Sequence, residues 1–556
     1  MPILHLWTQR IPNSWSKRLE CPVDEDSTYR NTTWCNRDLI PIPPTRRTWT
    51  YREYAAYWII TGVNATSWTL ASSLLALGLS ISQAMGVIVG ASLLAALLAV
   101  VAGWPGSHHY VGFTILSRGA WGMRGGFWPL LNRIMTACIW MGIQAYWGGQ
   151  AVKIILGAVI GPKFVFWRNT LPESAHVDEA SLLSFFVFLA VFAPMLLVAP
   201  ERLRIPFRVA FVMIACTVLG MLVWALSANG GAGTLIHTGP TGQGSKLGWN
   251  TVYGLQSVVG VFGSGCLGQS DWTRYSKTPN AALFGQIVTA PIAICVTALC
   301  GLLVTSATAE IYGEVLWNPF QLLLAIQQNS LSAGARAGTF FAGLGFLASA
   351  LALCIVTNSV AGGMDLAALY PRYINIRRGS YLITIIAVAT CPWQFVTQAT
   401  TFITVLSGWS VFLSPMTGIV ISDYFLVRKQ GLHMGDLYLG NSSSAYWYSR
   451  GFNWRAVLAW ATGFGPLLPG LIRQVQGSAN GSGWDHLYNV SYFFGFFVSL
   501  LLHWGLFRLF PTERQTGDSP FSLVLDSESR SDGSSDQERE VIDVVDEKDR
   551  SASMLV

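Results

Sequence analysis

WIITGVNATSWTLASS (58–73) and GLQSVVGVFGSGCLGQSDWTRY (254–275) are hydrophobic stretches whose residues resist a continuous helix. The first places Gly62, Asn64, Thr66, Ser67 and Thr69 in the middle of an apolar segment, and the second has Gly260, Gly263, Gly265 and Gly268 within nine residues. Backbone freed from helix inside hydrocarbon finds no water, so it must line a cavity or be covered by protein. Small residues also let helices approach closely, which is a packing role without a site. For the second stretch alone these readings stand level. Interruptions in corresponding spans of two halves point to an inverted-repeat transporter with its site near the midplane, and that pairing favours a binding cavity.

The rest of the chain supplies the membrane context. Of 556 residues, 52% are hydrophobic and only 12% are charged, half the charged share of a soluble domain, roughly 25%. About twelve segments reach the ~20 apolar residues that a spanning helix needs. They begin near Tyr54, Ala84, Phe127, Ala180, Pro206, Val252, Ala281, Thr339, Gly379, Phe402, Trp454 and Val490. With both termini cytoplasmic, the inner loops collect Arg118, Arg124, Arg202, Arg204, Arg208, Arg274, Lys277, Arg372, Arg377, Arg378, Arg428 and Lys429. The outer loops then hold only Lys163, Arg168, Lys246, Arg336 and Arg473. That asymmetry sets the orientation and an even number of spans. The expected fold is therefore an all-α polytopic membrane protein.

The chain divides into a polar N-terminal cytoplasmic tail (1–51), a transmembrane domain (52–510) and a cytoplasmic acidic tail (511–556). The tail from Pro511 carries 12 acidic and 5 basic residues, so the remainder holds a charge of +13 against +6 for the whole. Both tails have the composition of disordered segments. Lys548 lies in a context suited to endocytic and ubiquitylation machinery. Seven of the nine cysteines lie in apolar segments, with no CxxC pair or Cys/His cluster, so neither a disulfide scaffold nor a metal site is expected. The first apolar run (Met1–Trp7) is short and broken by Pro2 and His5, so a signal peptide is not expected. No basic stripe with interleaved aromatics suggests nucleic acid, and no cofactor motif is present.

The third span contains IWMGIQAYWGGQ, in which Trp140 and Gln144 are four residues apart and share a helical face. A Trp face stacks on a flat heterocycle and a Gln amide offers a donor and an acceptor to its edge. Asn358 in the eighth span offers the same pair of functions. The alternatives are lipid or core packing for Trp140 and interhelical hydrogen bonding for Gln144 and Asn358.

At these motifs the chain resembles the nucleobase:cation symporter family, in its fungal uracil/allantoin/uridine/thiamine permease branch. The resemblance runs from NRDLIPIPPTRRTW (Asn36–Trp49) through GFTILSRGAWG (Gly112–Gly122), IWMGIQAYWGGQ (Ile139–Gln150), SDWTRY (Ser270–Tyr275) and LYPRYINIRRG (Leu369–Gly379) to SDYFLVRK (Ser422–Lys429). It implies a LeuT-like core of ten helices in two inverted repeats of five, two peripheral helices, and alternating access. It places Trp140 on the family's stacking tryptophan and Gln144 on its substrate-binding glutamine. Asn358 falls on the eighth-helix asparagine, Asn64 on a polar contact of the first helix, and Phe262 on a second stacking aromatic.

The family implies a symporter in the plasma membrane. Sodium-coupled members place hydroxyls in the eighth helix where this chain reads Ser349, Ala350, Leu351, Ala352, Leu353, Cys354. The departure points to a proton as coupling ion. Glu53, at the inner mouth of the first helix, is the candidate carrier, while Asp271, Asp365 and Asp423 are expected to pair with Arg or Lys as gating or structural contacts. His108-His109, at a loop edge beside Tyr110, suits a structural role better than a relay. A cationic substrate ordinarily recruits an acidic residue within the membrane, and none is expected at the depth of the pocket. That favours uracil, allantoin, uridine or a purine, with thiamine as the alternative through cation–π contact with Trp140 and Phe262. An integral membrane enzyme is disfavoured by its scattered histidines, and a channel by the absence of repeated pore-lining rings.

Overall fold

Thr50 opens the membrane domain with a capping box. Its side chain accepts from the first helical turn, and the Glu53 carboxylate takes the Thr50 backbone N–H at 2.8 Å. The computed structural model describes residues 20–21, 32–198, 204–396 and 398–512. Helices follow one another through them, and no strand forms among the described residues.

The first half comprises α1 (Tyr51–Gly62), α2 (Ala65–Ser73), α3 (Ile81–His109), α4 (Phe113–Trp121), α5 (Phe127–Ile160), α6 (Glu179–Met195) and α7 (Arg204–Asn229). The second comprises α8 (Gly244–Leu267), α9 (Ala290–Tyr312), α10 (Pro319–Asn329), α11 (Ala333–Leu353), α12 (Val360–Leu369), α13 (Ile376–Ala389) and α14 (Ala399–Ile421). Peripheral α15 (Trp454–Phe464), α16 (Leu468–Val475) and α17 (Ser491–Leu509) follow. Grouped into passes, these described helices are consistent with the twelve segments expected from hydropathy. Eight of the passes are long and apolar enough to cross a membrane. The other four are the broken first, the third and sixth with their polar inner faces, and the short ninth. Each half has a short helix after its second pass, α4 in one and α10 in the other, an internal symmetry that residue identity does not display.

The two interruptions differ. The first pass breaks as expected, between Gly62 and Ala65. The sixth runs unbroken through Gly260, Gly263 and Gly265 and stops only at Gly268, so the expected break at that glycine cluster is corrected to its end. A Cβ on Gly260 would lie 2.8 Å from Ser410 Cβ, and one on Gly263 would meet the Tyr492 ring at 2.6 Å. Both glycines serve helix packing, whereas Gly265 has open space before it. Wide π-type turns interrupt three further passes, at Gly285–Thr289, Cys354–Ser359 and Ser422–Val427.

The N-terminal stretch 32–50 packs on one face of the bundle. Leu39 and Ile42 are buried, Arg118 of α4 donates to Trp34 O at 2.9 Å, and Arg274 donates to Asp38 O at 2.7 Å. On the same face Asn453 donates to Ala120 O and Arg455 to Phe510 O. Both described ends of the chain therefore meet on one side, called here the tail face. Lys548 and the acidic tail beyond Thr512 lie outside the described residues, as do the inner-loop Arg202 and the segment 22–31.

Candidate functional site

Asn64 holds the break in the first pass from both sides. Its Nδ2 donates to Thr61 O at 2.6 Å, one of the carbonyls left open where α1 ends, and its Oδ1 accepts from Ser67 N at 3.1 Å as the N-cap of α2. These are the orphan groups that any helix end in a membrane must satisfy. Asn64 borders the central cavity, with its amide engaged in shaping the backbone there. Thr66, two residues on, accepts from Gln144 Nε2 at 2.7 Å. That bond fixes the Gln144 amide across the gap between α2 and α5.

A cavity of about 160 Å³ opens at this level. Trp140, Gln144, Asn64, Phe262 and Asn358 all line it, so the structure brings the five expected substrate-binding residues together. Trp140 and Phe262 are half-buried, each packed in part against the core, and neither ring pairs with another aromatic among the described residues. Asn358 sits in the wide turn Cys354–Ser359 and is only 4% exposed, yet its Nδ2 has no hydrogen-bond partner. An interhelical bond, the structural alternative for this residue, is therefore not formed. A buried donor without a partner costs about 1–3 kcal/mol, a cost that a ligand carbonyl removes.

Toward the tail face the cavity narrows onto an ionic cluster. Arg133 lies seven residues before Trp140 on α5, the same face two turns down. Its guanidinium meets Asp271 Oδ2 at 2.7 Å and Asp365 Oδ2 at 3.2 Å. Asp271 Oδ1 also accepts the Phe113 backbone N–H at 2.8 Å. A Cβ on Gly112 would come within 2.6 Å of that oxygen, which explains the glycine opening GFTILSRGAWG. Asp423 pairs with the loop residue Arg428 at 2.7 Å, as expected, whereas Asp271 and Asp365 pair with Arg133 inside a span and not with a loop Arg or Lys. Arg133 itself escaped the sequence reading. A lone arginine inside a hydrophobic span, in phase with Trp140, was the available signal. Asp365 lines the cavity at this floor, about 10 Å of helix below Asn358.

Glu53 stands apart. It does not border the cavity, and its carboxylate is occupied by the Thr50 amide and hydroxyl, so its observed role is to cap α1. His109 bonds Tyr424 OH and Gln430 O at the edge of the bundle. Where a sodium-coupled relative would place hydroxyls, Ala352 and Leu353 pack with Ile60 and Ala210 in an apolar cluster edged by Phe207 and Phe211.

Further along α5, away from the tail face, lies an aromatic cluster. Trp147, two turns beyond Trp140, meets Phe402 at 5.7 Å and Phe320 at 6.4 Å, and Trp317 meets Phe402 at 5.8 Å. The arrangement is a mostly apolar, ring-lined chamber with a few amide and hydroxyl groups set between the helices.

Residues 41–495 match the family of permeases for cytosine/purines, uracil, thiamine and allantoin. The chain belongs to that family. The permease is 35% identical to "Transporter aclS" of Aspergillus oryzae over 536 residues, covering 86% of this chain and 87% of that one. It is 33% identical to the uracil permease of Saccharomyces cerevisiae over 487 residues, 86% of this chain and 76% of the relative. Among solved structures, the inward-facing conformation of Mhp1 superposes with a TM-score of 0.68 at 18% identity, over 86% of this chain and 95% of that one. The likeness establishes the inverted-repeat fold, and the family is one of transporters, not enzymes.

Proposed function

We propose that the permease imports a neutral, flat, carbonyl-bearing heterocycle related to the nucleobases (uracil, allantoin, uridine or a purine) in symport with protons. The plasma membrane is the site of action, with the tail face in the cytoplasm. The observation that carries the reading is the buried Asn358 Nδ2, unpartnered among the described residues, in a cavity that Trp140 and Phe262 also line. At the level of these rings the polar groups are amides and hydroxyls. The carboxylate of Asp365 lies at the floor, and it and Asp271 are held by Arg133. A neutral ring needs no countercharge there, whereas a thiazolium would enter without one.

The relatives support the substrate class, since one is named a uracil permease and a further structure of Mhp1 is described as holding bromovinylhydantoin. The apolar packing of Ala352 and Leu353 against Ile60 supports proton coupling, because sodium wants several oxygen ligands. Radiolabelled uptake in cells lacking endogenous permeases tests the reading across nucleobases, nucleosides, allantoin and thiamine. Saturable uptake of a neutral ring, stimulated by external acid, is the expected result. Uptake of thiamine that neutral rings fail to compete would replace it.

A further inference from the structure

Two apolar hollows lie side by side on the flank of the bundle, separated by the Phe207 ring, which lines both. One, of about 430 Å³, is walled by Ile59 and Ile60 of α1, Phe211 of α7, and Ile355 and Val356 of the wide turn in the eighth pass. The other, of about 380 Å³, is walled by Met195, Val209, Met213, Leu351 and Ala352. The surrounding surface is that of a lipid-facing belt, with Val209 53%, Val212 56%, Phe284 51% and Ile287 53% exposed.

The mouth of the larger hollow carries charge. Arg52 and Arg208 line it, and both are exposed. Arg208 has no hydrogen bond or ion pair among the described residues, and Arg52 bonds only the hydroxyl of its neighbour Tyr51. Glu53 is on the same rim, where its carboxylate accepts from the Thr50 amide and hydroxyl and also attracts Arg52, so one carboxylate stands against two guanidiniums and the rim keeps a net positive charge. Trp49 and Tyr51 complete the rim with the amphipathic rings characteristic of a membrane interface.

We propose that these hollows form a site for one anionic two-chain phospholipid from the leaflet at the tail face. The chains lie on either side of Phe207, and the phosphate rests between Arg52 and Arg208. Guanidinium forks suit phosphate oxygens, and juxtamembrane basic residues draw anionic lipid. The wall of this site is the reverse side of the ligand chamber. Ile59 and Ile60 lead into the break at Asn64, Ile355 and Val356 share the wide turn of Asn358, and Tyr57 and Trp272 border both spaces. A bound lipid therefore braces the segments that shape the chamber.

The test is native mass spectrometry of the full-length protein in mild detergent, incubated with equal amounts of phosphatidylserine and phosphatidylcholine. One phosphatidylserine retained per chain is expected. Arg52→Gln with Arg208→Gln should cut retention at least tenfold, while the double Lys variant keeps most of it. Ala56→Trp, which fills the larger hollow and leaves both arginines, should also displace the lipid. Arg450→Gln, removing an exposed charge elsewhere, should leave retention unchanged. Equal retention of both lipids, no retained lipid, an unaffected double Gln variant, or a matching loss in Arg450→Gln would overturn the proposal. Displacement by chain-free glycerophosphoserine at equal concentration would overturn it too, since the hollows would then contribute nothing.

Discussion

Replacing Asn358 with Ala removes an amide that bonds nothing among the described residues, so its effect should appear in ligand binding and leave folding unchanged. The Nδ2 atom is buried and unpartnered, and the side chain borders the chamber lined by Trp140, Gln144 and Phe262. If the amide serves the ring, its loss strands a polar atom of the substrate in a water-poor site. That costs about 1–3 kcal/mol, or roughly a 5- to 150-fold rise in Kd at 1.4 kcal/mol per decade. Asn358→Asp keeps the size but exchanges a donor for a charge, in a chamber whose floor already holds Asp365. Neutral rings should lose more than cationic ones, and the order of preference should change. Competition of labelled uptake by a panel of rings, normalised to surface protein, reads both effects. Unchanged inhibition constants, or a parallel fall in folded protein with the rank order intact, would refute the reasoning and make Asn358 a packing residue.

Arg133→Met should leave two buried carboxylates facing each other, a loss of about 3–5 kcal/mol, seen as a lowered thermal midpoint of the solubilised protein; an unchanged midpoint would remove Arg133 from the clamp. Gly363→Ala should reduce folded protein, because its Cβ would lie 2.6 Å from Ile376 O where α12 crosses α13, while Gly220→Ala, with open space before it, should be tolerated; fluorescence size-exclusion profiles distinguish the pair. Deleting 519–556 should preserve substrate affinity and prolong residence at the plasma membrane, and a large change in affinity with unchanged residence would contradict it.

Much of this architecture was legible because its signals are local. Gly62 and Asn64 in an apolar run announce a break that the membrane forces protein groups to satisfy, and Asn64 does so itself. Trp140 and Gln144 share a face by helical spacing alone. The glycines of the sixth pass misled because glycine marks close packing as readily as a break, and only the neighbours Ser410 and Tyr492, far away in sequence, decide between them. The wide turn that presents Asn358 leaves no pattern in CIVTNS. Arg133 was visible, but its carboxylate partners come from two other passes. Glu53, three residues after Thr50, fits a capping box on spacing alone, a simpler reading than proton carrier.

The central claim is that a proton gradient drives a flat heterocycle through the chamber between Trp140 and Phe262. The most direct measurement uses purified protein in sealed, sodium-free vesicles, given an acid-outside pH jump with labelled substrate from the uptake panel. Accumulation above equilibrium that collapses with a protonophore and disappears in Trp140→Ala is the predicted result. Accumulation that requires a sodium gradient, or that survives loss of Trp140, would contradict it.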